Sequence, residues 1–591
     1  MSVLGESLYS TPDVAIRELV QNAHDACTRR RIEAGESEHW IAITADRARG
    51  TLTLEDPGAG LTQDEIVRYL ATIGAGYTRR LRAETGDSSL IGMFGLGFLS
   101  AYVVADRISV FTTSYQEPDQ GWLFQSRSGE RFSIEPTTPR AIGTQVVLSL
   151  KERYRALSDV ERLRPIVARY ACLLPIPVHV GERSSTAVNA EPPPWRGPPE
   201  PNAIRADRSK RAFASRFEPT FAPLATIDVA RAAEGRAQGL LWIQDGASYA
   251  TSDNRNVAVF VRGMMITSDA RELVPRWAGF VGGVIECDLL SPTASREDLM
   301  EDEAFEQARR DVLEALVTGL TQLAEKSPEI WRSVLLRHNE ALLGACLSEP
   351  RLFDALADDL TIATTEGDLT VDEIRQRSRG RAHVSMSAQG GYEEVLFRAL
   401  KVPVAIGTRF AVLPFLRRWA ESRQVPVIDL GTAAGNRAMF PPQPIEPSAL
   451  AWLKTHLARP GHVIMPTRFE PSALPLVLVP DREAELKSRI EADEADRRMG
   501  AAVLALARLH TRTIDDRVRA HLYVNLDAPV IVALLAARDD AARAPLIARA
   551  VRMLYLLVAL ITGPGPEAAG VEYADTLLEY GEVVRAMLEA R

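Results

Sequence analysis

Glu18, Asn22 and Asp25 stand four and then three residues apart in the segment from Ile16 to Ala26. On an α-helix that spacing puts a carboxylate, an amide and a second carboxylate on one face. Ile16, Leu19, Val20 and Ala23 fall largely on the other side. Such a helix can pack its apolar side on a sheet while the polar stripe walls a site. A solvated helix face would carry the same three residues, so the stripe gains meaning only from its companions.

Three further elements accompany it within about 130 residues. Asp56 ends an apolar run and is followed by Pro57, Gly58, Ala59, Gly60 and Leu61. A buried carboxylate there can accept a hydrogen bond from an exocyclic amine such as that of adenine, with Gly58 and Gly60 letting the backbone approach a flat ring. A surface Asp-Pro-Gly turn has the same composition. Next, Gly92, Gly95 and Gly97 crowd the run from Ile91 to Phe98 ahead of a helical stretch. Glycines before a helix N-terminus expose successive backbone N–H groups, which is what a phosphate requires. The spacing is neither that of a Walker loop nor that of the dinucleotide fingerprint. Last, Gly143 and Thr144 open a strand, with a hydroxyl that can reach a ligand or a buried water.

The elements that must position these residues can be read from periodicity and capping. Helices are expected at 12–31 and 63–73, the first with Thr11 as N-cap and Pro12 at its first position, the second with the capping-box pair Thr62 and Glu65. Strands are expected at 41–45, 51–55, 108–113, 121–126 and 144–150. Helices on one side of a mixed sheet make an α+β layer fold.

Beyond residue 180, six prolines between Pro192 and Pro201 imply an exposed, semi-rigid linker. Strands are expected at 256–265 and 281–289, then helices to about 347, an alternating unit over 381–430, and long apolar-periodic helices near 545–560 and 573–588. These elements imply domains at 1–180, 216–455 and 456–591, with a linker at 181–215.

Composition agrees with several soluble domains. The chain has 591 residues, too many for one hydrophobic core. A net charge of -9 argues against a surface that coats nucleic acid. The four cysteines, Cys27, Cys172, Cys287 and Cys346, have no metal-ligand spacing and are expected as buried thiols in a reducing, cytoplasmic setting. No basic segment followed by an apolar run opens the chain, and the most apolar stretch, 551–562, is too short to span a bilayer.

Taken in order, the four motifs resemble the nucleotide site of the GHKL ATPases, the α/β sandwich shared by gyrase, heat-shock chaperones, histidine kinases and MutL. The run from Tyr69 to Arg79, that from Leu90 to Ser100, and Val104 to Arg107 narrow the resemblance to the heat-shock protein 90 family in its bacterial HtpG form. Val259 to Gly263, Val281 to Val284 and Ser295 to Glu297 resemble that family's α/β middle domain, and Tyr523 to Pro529 its mixed, largely helical C-terminal dimerisation domain.

The resemblance implies roles. Glu18 would be the general base that orients the attacking water, and Asn22 would join Mg2+ to the phosphates of ATP. Asp25 would line the pocket and Asp56 would hold the adenine amine, beside Gly60 and Leu61. Gly95, Leu96, Gly97 and Phe98 would offer backbone N–H groups to the phosphates; Thr144 would support Asp56 through a water; Arg296 would reach the γ-phosphate as an arginine finger. The implied activity is that of a homodimeric, cytoplasmic, ATP-hydrolysing chaperone acting on unfolded or partly folded clients, with no nucleic acid or membrane partner. A non-hydrolysing nucleotide-gated scaffold and a MutL-like or topoisomerase-like ATPase acting on DNA are the alternatives.

Several positions depart from the family pattern. The chain starts close to Leu8, without most of the first strand and helix that cross over in the closed dimer. His24 replaces a small residue and is expected at the pocket rim or surface. Tyr69 and Ala75 replace an asparagine and a lysine, Met300 stands where a glutamine is common, and no acidic terminal peptide follows Leu588.

Overall fold

The computed structural model describes residues 11–35, 38–70, 97–127, 131–198, 200–230, 236–247, 253–293, 297–386, 392–481, isolated positions between 484 and 493, 517–562 and 573–589. The chain forms two compact units, Met1–Ala341 and Leu342–Arg591.

The first unit opens with helix α1, Asp13–Ala34, one residue later than the capping pattern suggests, since Pro12 takes the N-cap position. Gly35, with φ of +87°, ends the helix and donates its N–H to the Arg31 carbonyl. Strands β1 (Ile41–Asp46) and β2 (Thr51–Asp56) follow, then α2, Gln63–Tyr69, where Thr62 and Glu65 form the expected capping box. A 3-10 turn at Gly97–Ser100 leads into the short helix α3, Ala101–Val104. Four antiparallel strands come next: β3 (Ala105–Thr113), β4 (Gly121–Arg127), β5 (Arg131–Thr137) and β6 (Gly143–Leu150). Helix α4 (Val160–Ala171) and β7 (Val178–Val180) complete a seven-stranded sheet of order β5-β4-β3-β6-β2-β1-β7. Only β7 is parallel to its neighbour. Short or half-exposed β5 and β7 have too little apolar alternation to be legible in sequence.

Helix α1 packs against β2, α3, α4 and the Gly97 turn. It is buried on nearly every side, because Glu18, Gln21, His24, Asp25 and Arg29 are as enclosed as Ile16, Leu19, Val20 and Ala23. The polar stripe therefore faces protein as well as a site, which a solvated surface helix would not do.

The proline-crowded stretch departs from a free linker. Residues 203–215 form helix α5, Ala203–Ser215, capped by the Asn202 side chain. Ahead of it, Trp195 donates to Glu286 at 2.9 Å, and Arg196 reaches both Glu286 and the Leu173 carbonyl, the latter at 2.6 Å. Prolines stiffen this segment, while the donors inside it fasten it down. A second sheet, order β11-β10-β12-β9-β8, is built from β8 (Pro223–Val229), β9 (Gln238–Gln244), β10 (Asn256–Val261), β11 (Met264–Thr267) and β12 (Val281–Glu286). Helix α6, Glu303–Lys326, lies on it so closely at Gly319 that a Cβ there would come within 2.4 Å of Ile227. Phe260, Met265 and Trp242 of this sheet join Val167 and Leu163 of α4 in one hydrophobic cluster, so the two sheets share part of their core.

The second unit holds a five-stranded sheet with helices, order β14-β13-β16-β15-β17, made of Thr361–Thr364 (β13), Gly367–Thr370 (β14), Ala382–Ser385 (β15), Val404–Ile406 (β16) and Val427–Asp429 (β17). This contains the alternating unit expected at 381–430. A three-stranded sheet of His462–Thr467 (β18), Leu476–Pro480 (β19) and Ala520–Asn525 (β20) follows. The helix Ala544–Thr562 is longer than its apolar centre suggests, and its 18-residue window Ala544–Ile561, with mean hydropathy 1.9, is long and apolar enough to cross a membrane. Val551, Tyr555 and Ala559 of that helix are instead buried against Leu478, Leu522 and Val524 of the small sheet. All four cysteines are buried thiols outside any disulfide.

Candidate nucleotide site

Glu18 is fully buried near the start of α1. Arg17 donates to its Oε1 from both Nε, at 3.2 Å, and Nη2, at 3.0 Å. Arg17 is itself buried, and its guanidinium lies 5.9 Å from the Tyr170 ring centre on α4. A buried ion pair of this kind fixes orientation more than it adds stability, because desolvating both charges offsets most of their attraction. Asn22, one turn on, is exposed. Asp25 is buried, and its Oδ1 lies 3.3 Å from Nδ1 of His24. His24 is therefore neither a rim nor a surface residue: at 3% exposure it is part of the wall, paired with the next carboxylate.

Asp56 closes β2 and is 4% exposed. Its Oδ1 accepts the Gly58 N–H at 2.9 Å. Burial pushes its carboxyl up from the usual carboxylate range to about 7, against the lowering effect of that hydrogen bond. The loop after Asp56 is pinned to α1, because the Ala59 N–H donates to the Ala26 carbonyl at 3.0 Å and Arg30 Nη1 to the Pro57 carbonyl at 2.6 Å. The glycines have a reason other than approach to a ring. A Cβ on Gly58 would meet Ala26 at 2.6 Å, and one on Gly60, at φ +65°, would meet the Thr113 carbonyl at 2.0 Å. They let the loop sit against the protein's own backbone.

Thr144 on β6 is the register partner of Asp56 on β2. Gly143, at φ +137°, brings β6 close enough that a Cβ would fall 2.1 Å from the Asp56 carbonyl. Thr112 on β3, fully buried, does not stand out in the sequence. Its hydroxyl accepts the Leu61 N–H at 2.9 Å and lies 3.2 Å from both the Gly143 carbonyl and the Thr144 hydroxyl. It joins three of the expected positions, Leu61, Gly143 and Thr144, in one network behind Asp56. Its only signal is a threonine in strand alternation, which most strands offer.

Gly97 and Phe98 lie in the 3-10 turn against α1, with the Phe98 ring edge-on to Tyr102 and Phe124 at 6.1 and 6.3 Å. Gly95, Leu96, Ala75 and Arg296 lie outside the described residues. Tyr69 ends α2, and Met300 is exposed. The structure thus gathers Glu18, Asp25, Asp56, Gly60, Leu61 and Thr144 around α1 and the three strands β2, β6 and β3. A buried carboxylate that can accept a hydrogen bond from an amine, a second buried carboxylate held by an arginine, and an exposed amide on α1 are the polar groups that this region offers a hydrogen-bonding ligand.

Comparison with known proteins agrees with this geometry. Residues 9–131 match the family described as histidine kinase-, DNA gyrase B-, and HSP90-like ATPase, and residues 179–354 match the family described as Hsp90 protein. The chaperone protein HtpG of Myxococcus xanthus is 31% identical over 356 residues, 56% of this chain and 54% of that one. The HtpG of Roseobacter denitrificans is 29% identical over 394 residues, 63% and 61% of the two chains, and that of Shewanella halifaxensis is 27% identical over 428, 66% and 67%. The chain thus spans between about half and two thirds of the length of these relatives. With an ATPase-type match and an Hsp90 protein match following it in one chain, this protein belongs to the heat-shock protein 90 family, in its HtpG-type branch.

Proposed function

We propose that this protein is an ATP-dependent chaperone whose nucleotide sits between α1 and the Asp56 loop. The observation that carries the reading is the placement of two buried carboxylates, Glu18 and Asp56, on elements that the Ala59 to Ala26 hydrogen bond ties together. Asp56 would accept the adenine amine, supported by Thr112 and Thr144. Glu18, oriented by Arg17, would hold the attacking water and receive its proton. Asn22, the exposed oxygen donor of α1, fits Mg2+, which keeps most of its shell as water and phosphate and would neutralise phosphate charge. Gly95 to Phe98 would donate backbone N–H groups to the phosphates, and Arg296 would reach the γ-phosphate as an arginine finger.

The remaining assignments follow the family. Clients would be unfolded or partly folded proteins, and the setting cytoplasmic. Homodimerisation would use the last helix, Tyr573–Glu589, on which Leu577, Leu578 and Leu588 are 72%, 69% and 77% exposed. A DNA-directed ATPase is disfavoured because the segment after the sandwich matches the Hsp90 protein family.

The test is suppression of aggregation of a heat-denatured model protein, with and without ATP. Wild type should show ATP-dependent protection, and Asp56→Asn should show the same level with and without nucleotide. Equal ATP dependence in both would sink the reading.

A further inference from the structure

The outer side of the seven-stranded sheet carries a feature that the nucleotide site does not use. Arg107 on β3 is the register partner of Arg127 on β4, which is in turn the partner of Arg131 on β5. All three are exposed. Residues in register point to the same face, and neighbouring strands lie about 4.8 Å apart, so three cations stand in a row roughly 10 Å long. Like charges directly opposite one another destabilise a strand pair. Among the described residues, no carboxylate forms an ion pair with Arg107 or Arg131. The row is also out of character with a chain of net charge -9.

Two residues along the same strands, Ser109, Gln125 and Ser133 are again in register, and Gln125 donates to Ser109 at 3.1 Å. The arginines, Gln125 and Ser133 line a cleft of about 440 Å3. The cleft opens at the sheet edge, since β5 has β4 as its one partner among the described strands. Phe132, between Arg131 and Ser133, points to the opposite face, where it stacks on Phe124 at 5.7 Å yet remains 50% exposed. Pro136 has no N–H to offer and closes the far end of the edge.

We propose that the β5 edge binds an extended segment of a partner protein in which acidic and apolar residues alternate. A strand added to β5 places successive side chains on opposite faces. Acidic residues then extend the arginine row and set counter-charge beside Arg131 at its outer end, while apolar residues cover Phe132. Single-stranded nucleic acid fits less well. The aromatic ring and the cations lie on opposite faces, so one strand cannot stack on the first while neutralising the second.

The experiment uses the full chain and a fluorescent eight-residue peptide of alternating Glu and Val, read by anisotropy. Wild type should bind it, with affinity falling several-fold between 50 and 200 mM salt. Arg131→Glu should weaken binding about tenfold or more, and Arg107→Glu, three strands from the added one, markedly less, with circular dichroism unchanged. Arg131→Gln should give a smaller loss in the same direction, which separates lost charge from lost folding. Methylating the peptide's backbone nitrogens on one edge should abolish binding if it joins as a strand. Binding that survives that methylation, equal affinity for wild type and Arg131→Glu, or tighter binding of an eight-nucleotide thymidine strand than of the peptide would each overturn the proposal.

Discussion

Asp56 gives the residue scale its clearest consequence. Burial pushes its carboxyl up to about 7, so without nucleotide the neutral acid is favoured below that pH. In the proposed site an adenine amine donating to Asp56 would favour the carboxylate, so the nucleotide would lower this pKa and release a proton on binding. Nucleotide affinity should therefore rise as pH climbs through about 7 and level off above it. Calorimetry in buffers of different ionisation enthalpy should detect proton release below pH 7 in wild type and none in Asp56→Asn. A flat affinity from pH 6 to 8 would contradict the role given to Asp56. The same shift works the other way on the protein without nucleotide. Between about 4 and 7 the native state holds a proton that the unfolded chain has lost, so this residue's contribution to stability declines as pH rises through that window. Glu18, Asp56 and Thr144 were legible because their types and spacing are local. Arg17, His24 and Thr112 were not. The importance of Thr112 arises only when β3 pairs with β6, 32 residues away in sequence, and the position of His24 only when α1 is buried on its polar side as well.

At the scale of elements, the strap at 190–198 is where sequence reasoning and structure diverge. Proline crowding does predict a stiff extended segment, and stiffness is what the sequence can show. Whether the segment is free depends on Glu286, about 90 residues on, whose buried carboxylate takes donors from Trp195, Arg196 and Gln238. Arg196 also bonds the Leu173 carbonyl, so the strap joins the end of α4 to the end of β12. Glu286→Ala leaves these donors without their acceptor, which should cost about 1–3 kcal/mol because the partly exposed Arg196 can turn to water. Hydrogen exchange should then speed up by tenfold or more in peptides spanning 190–198 and leave those spanning 13–34 unchanged. Unchanged exchange in the strap would show that Glu286 does not hold it. The elements around the site were largely foreseen, because α1, α2 and the strands β1 to β4 and β6 carry clear periodicity or caps, whereas β5, β7 and α5 lack an apolar pattern strong enough to mark them.

At the scale of the whole molecule, two compact units divide the chain differently from the sequence-based boundaries. The sandwich and the second sheet share a hydrophobic cluster and lie in the unit that runs to residue 341, so the ATPase segment and the second sheet form one body. The exposed leucines of the last helix belong to the other. The double variant Leu577→Glu and Leu578→Glu should sediment as a monomer at micromolar concentration where wild type sediments as a dimer; an unchanged dimer would remove that helix from the interface. The central claim is that α1 and the Asp56 loop form a hydrolytic nucleotide pocket with Glu18 as its base. It is tested most directly by ATP turnover in Glu18→Ala, measured at ATP concentrations where binding is shown to be saturated. The account predicts binding within a few-fold of wild type and turnover lower by about a hundredfold or more, the usual contribution of a general base. Turnover equal to that of wild type at saturation would contradict it.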